Sequence, residues 1–398
     1  GDFSAEGINL VSNPNFTDTG SELITNGDFA TDTDWVKEGL WEISGGSANR
    51  IAEGVNSRFY QVGVVEALKS YKLTFSISAI SAGAINQVTL GGVGISGTWN
   101  TAETFTLYFT TVNTASCSIT GDATFAGSID NVSVKELGAD WDVLANAEPI
   151  FNASGLTLNT SNGFDQKIYQ LSVITSAKSY KVTYEITAAS YTTGSKLVYY
   201  DGDSYVDLPE QGVGIHAFYY TASNPASDRW YFNLRNGSGT DEVTISSISV
   251  QELGEGWEFT SGASITALGA KITHTPIAGV ISQSPYLIIG NNYKFTYEIT
   301  EKVSGGLKIN SAVVTTMVTT VGTHTRYFEA DSTALSIART SASNNDVTIT
   351  NITVQELDPN GYWTIVGSGL TIGEDKGIYT DAGVGSYFKN TSFVVVDG

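Results

Sequence analysis

The sequence predicts an all-β protein, a tandem series of jelly-roll-like β-sandwiches arranged as a rod. Three observations carry this expectation. Two phrases recur along the chain in matched order, every copy alternates polar and apolar residues, and turn-forming pairs separate the short apolar runs. Recurrence marks repeated units, period-2 alternation marks half-buried strands, and regularly spaced turns mark a sandwich.

The first phrase is Ser70-Tyr71-Lys72-Leu73-Thr74-Phe75-Ser76-Ile77. It returns as Ser179-Tyr180-Lys181-Val182-Thr183-Tyr184-Glu185-Ile186 and as Asn292-Tyr293-Lys294-Phe295-Thr296-Tyr297-Glu298-Ile299. A closing phrase, Ile129-Asp130-Asn131-Val132-Ser133-Val134-Lys135-Glu136-Leu137, has counterparts at Ile245–Leu253 and Ile349–Leu357. Both phrases repeat at about the same interval, roughly 110 residues, the size of one sandwich. Between them lies a third anchor: Tyr108-Phe109-Thr110, Tyr219-Tyr220-Thr221 and Tyr327-Phe328-Glu329. A Trp is expected to open each unit, at Trp41, Trp141, Trp257 and Trp363, with almost no linker after the preceding Glu-Leu pair.

These anchors divide the chain into an N-terminal segment, 1–21, that is a partial repeat or linker, sandwiches at 22–138, 139–254 and 255–358, and an incomplete fourth repeat at 359–398. Within the N-terminal part, Asn13-Pro14-Asn15-Phe16 and Asn26-Gly27-Asp28-Phe29 are near copies, and Gly1-Asp2-Phe3 is the tail of a third. Starting at Gly1, the chain is expected to be a fragment or processed product, truncated at both ends. Completion of the stub by strands of another subunit is the alternative.

Alternation then assigns faces. Along Tyr180–Ile186 the even positions are apolar or aromatic and the odd ones polar, so one face is buried. In the closing phrase Val132, Val134 and Leu137 point inward. Turns fall at Gly45-Gly46, Asn162-Gly163, Asp201-Gly202, Asn236-Gly237 and Gly305-Gly306.

Composition agrees. Of 398 residues 41% are hydrophobic and only 15% charged, with Tyr 20, Phe 17 and Trp 7, enough for several cores. The net charge of -21 repels phosphate backbones and excludes nucleic acid as a partner. It also opposes edge-to-edge association of exposed strands. A single cysteine, Cys117, excludes an intrachain disulfide framework and a Cys-based zinc site. No run is long and apolar enough to cross a bilayer, so no membrane partner is expected.

The segment Glu22-Leu23-Ile24-Thr25-Asn26-Gly27-Asp28-Phe29, with Trp35 and the close at Ile129–Val134, resembles carbohydrate-binding jelly rolls of the family 4/9/22 type. More specifically, it resembles repeats of this type in virion structural proteins of tailed phages, marine ones in particular. The match covers 22–138 well; over 139–358 it degenerates, and Asp130 is replaced by Ser246 and Thr350. The resemblance implies a non-enzymatic fibre, spike or capsid-decorating appendage on the virion surface. It also implies a homo-oligomer, trimeric by analogy, or contact with other virion proteins. Calcium is implied between the opening strand and the acid of the closing phrase, hence at Asp28 and Asp130, with Asp32 nearby; the acid that usually follows the opening Phe is Ala30 here.

Host-surface glycans are the ligand class such a fold would meet, and sugar C–H faces stack on aromatic rings. Trp35, Tyr60 and Trp99 are candidates in the first unit, and Tyr199, Tyr200 and Tyr205 in the second. Tyr199 and Tyr200, being adjacent, must face opposite sides of a strand. The stretch Asp201–Asp207 reads as an Asp-Gly hairpin rather than a calcium loop.

Catalytic signatures are missing. Gly92-Val93-Gly94-Ile95-Ser96-Gly97 matches the dinucleotide spacing but precedes strand sequence, not a helix. His216 and His324 occupy the place of Phe105, a packing position, and His274 stands alone. Glu136, Glu252 and Glu356 recur after the last strand, at a module junction. The expected function is therefore structural; the alternative is the carbohydrate-binding region of a secreted adhesin or polysaccharide-degrading enzyme.

Overall fold

A computed structural model describes residues 3, 6–17, 19–144, 147–176, 178–191, 195–200, 204–222, 229–235, 241–260, 262–274, 279–312, 315–340 and 344–357. In the terminal stretch it describes the strands at 363–366, 370–372, 377–379 and 387–390. Every regular element among these residues is a β-strand, and all the pairings are antiparallel.

Each repeat is two sheets face to face. In the first, one sheet runs Thr104–Thr110, Ser70–Ala82, Ala126–Leu137, Ser47–Arg50, Trp41–Ser44, and the other runs Val36–Lys37, Ser57–Gln61, Cys117–Gly121, Ile85–Leu90, Val93–Trp99. The second and third repeats reproduce this order strand for strand. Alternation along the strands delivers one inner face per sheet, and three separate cores result, centred on Phe75, Tyr184 and Tyr297. Gly91 and Gly92, both at positive φ, turn the hairpin between Ile85–Leu90 and Val93–Trp99, and Gly94 and Gly97 of the dinucleotide-like spacing lie within the second of these strands.

The recurring tyrosines have like surroundings. Tyr71, Tyr180 and Tyr293 are buried, and their hydroxyls accept the amide N–H of Glu66, Thr175 and Ile288 at 2.9, 2.7 and 2.8 Å. Burial pushes all three phenols up. His216 and His324 pack on Tyr184 and Tyr297 as Phe105 packs on Phe75, with ring centroids 5.3, 5.6 and 5.3 Å apart. Cys117 lies wholly inside the first core, where burial pushes its thiol up to about 12.

The N-terminal segment, expected as a partial repeat or linker, is packed into the sandwiches. Its copies, with Phe3, Phe16 and Phe29 evenly spaced, dock one per sandwich and in reverse order. Phe29 enters the first core, Phe16 the second and Phe3 the third. The strand Thr19–Glu22 pairs with Ala126–Leu137 of the first sandwich, and Glu6–Asn9 pairs in the same way with Glu242–Leu253 of the second. The anchoring bonds are duplicated. Leu23 N donates to Val134 O at 2.9 Å and Leu10 N to Val250 O at 2.8 Å. Val132 N donates to Gly27 O at 2.9 Å and Ile248 N to Pro14 O at 2.8 Å. Gln61 brackets Thr25, and Gln170 brackets Ser12, each through both of its amide atoms. This lace is strand addition supplied from within the chain.

The lace corrects the choice of opening Trp. Trp35, not Trp41, is the counterpart of Trp141 and Trp257: Phe29–Trp35, Phe16–Trp141 and Phe3–Trp257 lie 5.5, 5.3 and 5.2 Å apart. Trp35 and Trp141 donate their indole N–H to Asn26 O and Asn13 O at 3.0 and 3.3 Å.

Successive sandwiches share residues at their junctions. Leu137 is expected in the first core but belongs to the second, and Leu253 belongs to the third. After each, a glycine at positive φ, Gly138 or Gly254, accepts the N–H of Trp141 or Trp257 through its carbonyl at 2.9 Å. A Cβ at Gly138 would lie 2.6 Å from the Phe151 ring, and one at Gly254 2.9 Å from Ile265. Tyr108 packs on the second core from the first sandwich, and Tyr219 on the third from the second. Glu136 pairs with Lys69 and Glu252 with Lys178, both at 3.1 Å, while Glu356 accepts from Asn291 at 2.6 Å. The strands Trp363–Val366 and Tyr387–Asn390 pair with each other, as do Leu370–Ile372 and Gly377–Tyr379.

Candidate functional site

Of the aromatic side chains singled out as sugar platforms, two are core. Trp35 is wedged between Phe29 and Phe59, and Tyr199 between Phe218 and Tyr220, each 6% exposed. Rings with both faces in contact have none left for a ligand, so both are withdrawn as platforms. Trp99 is half-buried, with its ring edge-on to Phe75 at 5.8 Å. Tyr60 is half-buried on the outer face of its sheet under the Arg58 guanidinium, 4.9 Å away.

Tyr205 and Tyr200 are different. They sit on the outer face of the sheet Asp142–Val143, Gln166–Gln170, Trp230–Arg235, Lys196–Tyr200, Tyr205–Asp207, and they have company. Register places Tyr169 opposite Tyr231 and Tyr200 opposite Tyr205, so four tyrosines form one row across four strands. Ring centroids are 5.2 Å apart for Tyr169–Tyr231, and 5.3 Å for both Tyr200–Tyr231 and Tyr200–Tyr205. The inward residues Ile168, Phe232 and Tyr199 anchor these strands in the core, which fixes which side each tyrosine faces.

Cations attend the row. Arg229 lies 5.1 Å from the Tyr169 ring, and Lys167 and Arg235 lie 5.0 and 5.1 Å from that of Tyr205. The next cross-strand row contains Lys167, Asn233, Val198 and Asp207. A cleft of 360 Å³ bounded by Leu144, Gly163, Phe164, Asp165 and Lys167 adjoins it, with the Phe164 side chain exposed.

The sister sandwiches show what the fold itself requires here. Where the second has Tyr169, Tyr231, Tyr200 and Tyr205, the first has Tyr60, Ser118, Thr89 and Gly94. The third has Ser282, Ser336 and Asn310 in the first three of these places. All three keep the inner residues apolar, while only the second has an aromatic at all four outer places. The shared fold therefore does not itself require tyrosine at these four places.

Tyr169 and Tyr231 escape a reading of the sequence because each stands next to an inward apolar residue, Ile168 or Phe232, and an aromatic beside one reads as core. Strand parity would have placed them outside, but only register aligns them with Tyr200.

The acids proposed for calcium each have a partner within the chain. Asp28 Oδ1 accepts the N–H of Ala30 at 3.3 Å, Asp130 Oδ1 that of Asn131 at 2.6 Å, and Asp32 pairs with Lys37. Among the described residues no group of three or more His, Cys, Asp or Glu side chains is placed to hold a metal ion. Residues 201–203 of the Asp-Gly hairpin lie outside the described residues.

No protein-family model and no curated protein matches this chain. Among solved structures, the CBM22-1–CBM22-2 tandem domain of Paenibacillus barcinonensis Xyn10C is similar at 8% identity and TM-score 0.23, over 61% of this chain and 99% of that one. The Sulfolobus Turreted Icosahedral Virus structure is similar at 13% identity and TM-score 0.19, over 81% and 90%. A chain from work on the triple jelly roll fold and turret assembly of an archaeal virus gives 13% identity and TM-score 0.18, over 81% and 89%. Likeness this slight carries no functional inference.

Proposed function

We propose that this chain is a non-enzymatic structural protein, a fibre, spike or capsid-decorating appendage on a virion surface. The observation that carries the reading is the lace. One N-terminal segment is built into all three cores, and at both junctions between them a leucine closing one sandwich lies in the core of the next, so hinge motion between sandwiches would strip buried apolar surface. Modules tied in this way suit a stiff spacer better than independent binding domains on flexible linkers. The virion setting rests on the resemblance of residues 22–138 to phage structural repeats, which also suggests a homo-oligomer, trimeric by analogy. Immunogold electron microscopy of particles from the native source tests it: label at regular positions outside the particle is expected. Label confined to the soluble fraction would overturn it.

The tyrosine row favours a second reading, the carbohydrate-binding region of a secreted adhesin or polysaccharide-degrading enzyme. The two meet if the appendage contacts host-surface glycans. A glycan array probed with the full chain and with a Tyr169→Ala, Tyr231→Ala double variant tests the shared element. Signals lost in the variant support it; a blank array for the full chain removes it.

A further inference from the structure

We infer that the tyrosine face of the second sandwich takes an anionic sugar residue, its carboxylate or sulfate seated beside Asn233 and Lys167 beneath the Tyr205 ring. This rests on the glycan-binding reading of that face and narrows it to one ligand class.

Asn233 is the first ground. It faces outward between Tyr231 and Arg235, yet it is 0% exposed, and neither its Nδ2 nor its Oδ1 has a hydrogen-bond partner. A buried primary amide with both ends unpaired costs stability, and folding gives nothing back for it. The counterparts are Thr120 in the first sandwich and Ala338 in the third, so the position does not demand an amide. A ligand supplying one acceptor and one donor would satisfy it.

Lys167 is the second. It stands directly across from Asn233 in the register and makes no ion pair among the described residues, in a chain of net charge -21. Its counterpart Arg58 is paired with Glu38 at 3.2 Å. Arg235, which shares the Tyr205 ring with Lys167, is 3.8 Å from Asp165, a loose pair that an incoming anion can replace.

Tyr205 supplies the geometry. It belongs to the edge strand, whereas Lys167 is three strands away, so a ring 5.0 Å from that ammonium reaches back across the sheet over Asn233 and Val198. Val198 beneath it is 1% exposed. Rotation of one side chain on a three-residue edge strand would uncover an amide, an ammonium and a guanidinium around one spot, beside the half-buried rings of Tyr169 and Tyr200. The anion then accepts from Asn233 Nδ2 and Lys167 Nζ, a sugar hydroxyl donates to Asn233 Oδ1, and ring faces take the sugar C–H groups.

Calorimetric titration of the full chain with hexagalacturonate, a sulfated carrageenan hexamer, xylohexaose and a single-stranded oligothymidylate tests the assignment. At least one anionic sugar is expected to bind, with affinity falling tenfold or more in Lys167→Met and in Asn233→Leu, while Asn233→Leu melts above the parent. The two anionic arms distinguish carboxylate from sulfate. Equal binding of xylohexaose, unchanged by Lys167→Met, would overturn the anionic assignment and leave glycan binding standing. Binding of the oligothymidylate alone, or full affinity in Asn233→Leu, would also overturn it. A glycan array blank for every sugar removes the broader reading as well.

Discussion

Trp141 donates its indole N–H to the carbonyl oxygen of Asn13 at 3.3 Å, closing 128 residues of chain, and Phe16 lies against the same ring. The second sandwich is thus finished by residues that precede the whole of the first.

Phe16→Ala should therefore wound a module to which Phe16 does not belong by sequence. Emptying a buried phenylalanine site costs about 3–5 kcal/mol. Hydrogen exchange is expected to quicken in Ser179–Ser190 and Glu242–Leu253 and to stay slow in Ser70–Ala82. Equal acceleration in both sandwiches would contradict the docking order.

Gly27 offers a steric check on the same contact. A Cβ there would sit 2.0 Å from Val132 O, the atom group whose N–H holds the lace. Gly27→Ala is expected to destabilise the first sandwich by about 2 kcal/mol or more, seen as early proteolysis between residues 19 and 30. Gly212→Ala, with nothing within 4 Å of the added carbon, should stay within about 0.5 kcal/mol of the parent.

Core and face should separate cleanly under alanine substitution. Trp35→Ala removes a ring packed on Phe29 and Phe59 and is expected to cost about 3–5 kcal/mol by urea melts. Tyr205→Ala, on a ring 37% exposed, should cost no more than about 1 kcal/mol. Comparable losses would mean that Tyr205 is structural.

Alkaline stability follows from the buried phenols. Burial pushes Tyr184 to about 12, against an ordinary value near 10. The folded phenol is the tighter proton binder, so its contribution is intact below pH 10 and lost as pH rises from there through 12. Tyr71, Tyr180, Tyr293 and Tyr297 shift in the same direction. Chemical melts between pH 8 and 12 should show stability constant at first and then falling; a flat profile to pH 12 would contradict the burial of these hydroxyls.

Alternation made the strands legible, because each inward residue of the recurring phrases announces itself at every second position. It also separated Tyr199 from Tyr200, one inside and one outside. What the sequence hid was long-range. Trp41 and Trp35 are both followed by strand-like residues, and only the Phe29 contact distinguishes the opening Trp. Leu137 breaks the inward parity of Val132 and Val134, coming three positions after Val134, and so it leaves the first core for the place where the next begins. The lace copies are visible as copies, but nothing local says that Phe16 belongs with Trp141. The tyrosine row demands the register of four strands, which no single stretch encodes.

The reversed order of docking also sets a timetable for biosynthesis. Phe3 leaves the ribosome before Phe16 and Phe29, but its pocket needs Trp257 and Phe259, which are made hundreds of residues later. The copy at Phe3 must wait while each earlier sandwich takes up its own, so of the three phenylalanines the first made is the last to be buried.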